Sequence, residues 1–137
     1  MMKTINTITK MLTIGAIFFT FTGCKKDKHI PPTVTLKTTA GYTSANATVA
    51  KNLLIKVGII ADKVEDDMLS YNVSYAYDGA ATTTTSQSFT LSGTEQQHYD
   101  KDVTFTTRNQ NGSEKWIFTI TDKDGNIAQQ QIVLTVQ

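Results

Sequence analysis

The side chains able to do chemistry in this 137-residue chain are few: two histidines, one cysteine and twelve Asp or Glu. Catalysis of the Ser-His-Asp kind would have to use His98, because His29 lies in a lysine-rich polar stretch. No G-x-S-x-G elbow, H-E-x-x-H pair, Walker loop or G-x-G-x-x-G turn accompanies it. The carboxylates offer more. Asp62, Asp66 and Asp67 in one polar stretch, and Asp122, Asp124 and Asn126 in another, carry the oxygens that Ca²⁺ collects in sets of about six to eight. The same spacing also serves a plain hairpin, where Asp-Gly-Asn supplies the residues with φ > 0. Tyr42 and Tyr99 fall in loop-like sequence, where a ring can stack on a sugar. Cys24, the only cysteine, can neither form an internal disulfide nor build a zinc site alone.

These groups have to be positioned by sheet. The chain contains 24 Thr against 2 Pro and 8 Gly, a β-branched excess that favours strands. From Thr33 onward alternation of period two recurs, and seven strands are expected. Their buried positions are Val34 and Leu36; Leu53, Ile55, Val57, Ile59 and Ala61; Leu69, Tyr71, Val73, Tyr75 and Tyr77; Phe89 and Leu91; Val103 and Phe105; Trp116, Phe118 and Ile120; and Ile132, Leu134 and Val136. Turn-forming residues separate them at 41–52, Asp62-to-Asp67, Asp78-Gly79, Ser92-Gly93, Asn111-Gly112 and 122–126. Short strands at this spacing indicate a two-layer antiparallel sandwich, in an all-β class. The Thr-rich fourth strand, over residues 82–90, is the expected edge and the place for another chain to add a strand.

The stretch from Trp116 through Asp122-Lys-Asp124-Gly-Asn126 into Ile132-Val-Leu-Thr-Val resembles the last hairpin of bacterial immunoglobulin-like and fibronectin-type modules. That resemblance implies an Ig-like β-sandwich of about seven strands over residues 33–137. It also implies that the loops after the second, fourth and sixth strands gather at one end. Those loops hold Asp62, Glu65, Asp66 and Asp67, then Glu95, Asp100 and Asp102, then Asp122 and Asp124, nine of the twelve acids. A Ca²⁺ site at this end would use Asp62, Asp66, Asp67, Asp122, Asp124 and Asn126. An EF-hand is excluded, since Gly125 comes two positions early and Val133 stands where the twelfth-position Glu belongs.

The first 23 residues form a different piece. Lys3 and Lys10 precede an apolar run over 11–21 with no acid, too short for the ~20 residues of a spanning helix and suited to a cleaved export signal. The run closes in Phe21-Thr22-Gly23-Cys24, which resembles the lipobox of bacterial prolipoproteins, with Phe21 where Leu is usual. The resemblance implies cleavage after Gly23, acylation of Cys24 and firm attachment to a membrane. Lys25 follows, where lipoproteins kept at the inner membrane carry Asp, and this implies the outer membrane. Residues 24–32 then read as the lipidated Cys and a short tether ending in Pro31-Pro32.

The whole chain has a net charge of +1, yet the sandwich from Thr33 carries 8 Lys and Arg against 11 Asp and Glu, a net −3. No basic cluster marks a nucleic-acid surface. The expectation is a lipid-anchored cell-envelope protein, not an enzyme, whose Ig-like domain has a binding or structural role and needs no cofactor. Two other readings are an accessory carbohydrate-binding module contacting glycan through Tyr42 and Tyr99, and a Ca²⁺-stabilised adhesion domain.

Overall fold

The computed structural model describes residues 28–137; residues 1–27, with the export segment and Cys24, lie outside them. The alternation produces two packed sheets. Strands β1 (Thr33–Leu36), β3 (Leu54–Asp62) and β6 (His98–Thr106) form one, in the order β1-β3-β6. Strands β2 (Ala47–Val49), β8 (Ile127–Val136), β7 (Gly112–Asp122), β4 (Met68–Tyr77) and β5 (Thr84–Thr90) form the other, in the order β2-β8-β7-β4-β5. All pairs are antiparallel except β2 with β8, which is parallel. The architecture is an all-β, Ig-like sandwich. Among the described residues no helix is long and apolar enough to cross a membrane.

The inward faces follow the pleat. Ile55, Val57, Ile59 and Ala61 of β3 face Trp116, Phe118 and Ile120 of β7 and Ile132 and Leu134 of β8 across the interior, all buried. Phe105 and Trp116 stack with centroids 3.5 Å apart, closing the core toward one end. The stripe on β7 is bounded at both ends by buried acids, Glu114 and Asp122, where the alternation alone calls for apolar residues.

Three expectations are corrected. There are eight strands, because residues 41–52 are not a simple turn: three of them pair with β8 as β2. Residues 84–90 form the expected edge strand, paired with β4 on the five-stranded sheet. The cause is the Asp78-Gly79 turn, where both residues have positive φ (52° and 76°) and the Ala80 N–H donates to the Tyr77 carbonyl at 2.9 Å. Such a turn sends the chain straight back along β4. In β4, Leu69 is the extra residue of a bulge against β7, so Met68 is wholly buried in its place and Leu69 is exposed. Leu53, Tyr77 and Phe89 are also exposed rather than buried.

Candidate functional site

Because β5 leaves with β4, nothing bridges the gap between the β5 edge of one sheet and the β6 edge of the other. The connection runs through Leu91 and the single 3₁₀ turn Gly93–Gln96, which the Gln96 side-chain amide fastens by donating to the Leu91 carbonyl at 3.1 Å. A cleft of about 300 Å³ opens between the two edges. Its lining includes Gln87 and Phe89 of β5 and Tyr99, Lys101, Asp102 and Val103 of β6, with Tyr71 of β4 and Leu91 beneath.

The apolar part of the cleft is aromatic. The Phe89 ring lies 6.2 Å from Tyr71 with their planes 7° apart, and Tyr71 lies 5.0 Å from Tyr99. Tyr71 is completely buried, and its hydroxyl oxygen has no hydrogen-bond partner. Burial drives the Tyr71 phenol far above the ordinary range, and burial with the nearby Glu95 pushes Tyr99 up to about 12. Phe89, by contrast, is 50% exposed. The polar part lies at the mouth, where Lys101 Nζ stands 3.3 Å from Glu95 Oε1 beside the half-buried Gln87.

The residues singled out for sugar contact do not form a site. Tyr99 belongs to β6 and is buried at 6% exposure, so it is closed to stacking. Tyr42 lies over the outer face of the three-stranded sheet. Its hydroxyl donates to Asp102 at 3.1 Å, and the ammonium groups of Lys56 and Lys37 sit 4.7 Å and 5.4 Å from its ring centroid. The close approach is possible because Gly58 has no side chain beneath it. Asp100 and Asp102 belong to this cluster, not to an end loop: Lys37 pairs with both, and Lys56 Nζ meets Asp102 at 2.7 Å. Lys56 first, then Tyr42 and Lys37, hold the Asp102 carboxyl below its ordinary value.

The acids expected to hold Ca²⁺ are occupied by the fold itself. Asp67 accepts from Lys63 Nζ at 2.8 Å and Lys123 Nζ at 2.7 Å, with Gln97 as a third donor, and so ties together the β3–β4, β7–β8 and β5–β6 connections. Asp62 pairs with His98 Nδ1 at 2.7 Å. Asp122 is fully buried and caps its own turn, accepting from the N–H groups of Asp124 and Asn126 and from the Asn126 side chain. Asp66 and Asp124 are likewise in contact with neighbours. Among the described residues no three His, Cys, Asp or Glu side chains converge in a cation-binding arrangement.

The opposite end is held by Arg108. Its guanidinium grips Asp78 at 2.7 Å and lies over the Tyr77 ring at 4.9 Å, while its backbone N–H donates to Glu114 at 2.7 Å. Glu114 also accepts from Trp116 Nε1 at 2.9 Å, which satisfies both buried groups. This is a structural clamp with no open space beside it for a ligand among the cavities described.

No protein-family model matches the chain, and comparison with curated proteins finds no match. Among solved structures, one of murine CRIg is similar at 13% identity and a TM-score of 0.43, over 77% of this chain and 98% of that one.

Proposed function

We propose that this chain is a lipid-anchored protein of the bacterial cell envelope whose sandwich binds a ligand or partner without catalysing a reaction. The observation that carries the binding role is the cleft between β5 and β6, with an aromatic floor and a polar mouth. The sandwich's histidine, His98, is engaged with Asp62 and does not line that cleft. The anchor is supported by the lipobox-like Phe21-Thr22-Gly23-Cys24 after a basic and apolar leader, and the outer membrane by Lys25.

Metabolic labelling with palmitate tests the anchor. Wild type takes up label and fractionates with outer membranes; Cys24→Ser takes up none, and label persisting in that variant overturns the assignment. The binding role is tested in cells by placing a photo-crosslinking residue at position 90, which lines the cleft, or at the exposed position 51. Adducts from 90 but not from 51 are expected, and adducts from neither refute it.

A further inference from the structure

We propose that the β5–β6 cleft is a subsite for one neutral pyranose ring, stacked on Phe89 with its hydroxyls directed to Gln87, Glu95 and Lys101. This rests on reading the sandwich as a binding domain and names what it takes. The volume of about 300 Å³ stands at the small end of ligand pockets, room for a single ring. Phe89 is seated parallel to Tyr71, yet half of it remains in water. A ring fixed in this way offers flat apolar area at little entropic cost, which matches the C–H face of a sugar.

The mouth excludes other chemistries. A purely apolar ligand would strip water from Gln87, Lys101 and Glu95 and return no hydrogen bonds. An anion would meet Glu95 and Asp102 and a cation Lys101; Glu95 and Lys101 already pair at 3.3 Å, and Asp102 is held by Lys56 and Lys37. Neighbouring hydroxyls, each both donor and acceptor, can bond to the ammonium, the carboxylate and the amide together without unbalanced charge. An added peptide strand is opposed at the β6 edge because Lys101 shares the inward face with Tyr99 and Val103, and an inward charge at an edge works against strand pairing.

The test uses the full acylated chain in detergent micelles on an array of neutral and acidic oligosaccharides, followed by calorimetric titration of the best neutral one. Phe89→Ala and Gln87→Ala are each expected to weaken binding roughly tenfold or more, the scale of an anchoring contact. Lys51→Ala, in the exposed turn before β3, should bind as wild type. Phe89 and Gln87 lie on an exposed edge strand, and unchanged melting of the variants establishes that they fold. No neutral glycan bound, binding only to acidic glycans, or affinity untouched by Phe89→Ala overturns the proposal. If adducts still form at position 90 while no sugar binds, the ligand class falls and the binding role stands; if both fail, the binding role falls with it.

Discussion

Asp122 offers the sharpest perturbation, because one buried carboxylate holds the β7–β8 turn. Its Oδ1 accepts from the N–H of Asp124 at 3.0 Å and of Asn126 at 2.8 Å, and its Oδ2 from Asn126 Nδ2 at 2.9 Å. Hydrogen bonds to a charged group contribute about 1.5–3 kcal/mol each, but the donors released by Asp122→Ala lie in an exposed turn and recover much of that from water. A net loss of about 3 kcal/mol follows, with about half of it expected for Asp122→Asn, which keeps one accepting oxygen. For a domain of this size that lowers the melting midpoint by about 12 °C. Urea titration followed by Trp116 fluorescence, repeated in millimolar Ca²⁺ and in chelator, measures it. Because the carboxylate is spent on the turn, the two curves should coincide for wild type and variant alike. A loss below about 1 kcal/mol refutes the capping role, and a Ca²⁺-dependent gain confined to wild type restores a cation to this end.

Three further outcomes follow from the structure. Asp78 is lowered to about 2 from its ordinary 3.8 by the Arg108 guanidinium and the Ser113 N–H, and Asp67 is held well below it by Lys123, Lys63 and Gln97. Since the folded values are depressed, the stability they give is complete above the ordinary carboxylate value and is lost as pH falls toward 2. The melting midpoint should therefore hold from neutrality to about pH 4 and drop below it, less steeply in Asp78→Asn; equal slopes would remove Asp78 from the account. Tyr71→Phe deletes a buried hydroxyl without a partner and should be neutral or stabilising by up to about 1 kcal/mol in urea, whereas a loss of that size would reveal a partner. Gly58→Ala sets a Cβ against Lys37 and 2.8 Å from Tyr42 Cε1, displacing the ring from Asp102 at a cost of about 1–2 kcal/mol in the same titration, and an unchanged midpoint would mean that the ring gives way freely.

The long strands were legible because their burial is one-sided and regular: Ile55 to Ala61, Trp116 to Ile120 and Ile132 to Val136 face inward as the alternation requires. β2 was not, since three residues held by a parallel neighbour carry no period of their own. The bulge at Leu69 escaped because both Met68 and Leu69 are apolar and only pairing with β7 decides between them. Asp122 was visible as a turn former, but its burial depends on the sheet around it. The cleft was hidden for a related reason. Phe89 is a lone aromatic among Thr and Ser, and it reads as a core residue until the Asp78-Gly79 turn places its strand beside β4, away from β6. That dipeptide was the one local signal of the open edge.

The two chain ends leave the sandwich in opposite directions. Thr33 enters beside Asp62, whereas Val136 finishes beside Gly112 at the other end of the strands. A pull between the termini therefore acts along the strand axes, and β1 must slide past β3 with its rungs strained together rather than opened one after another. β2 is bonded to β8 in parallel, so the last strand cannot be drawn out without shearing that seam as well. A domain wired in this way transmits mechanical load through its sheets and resists extension, whichever end is held.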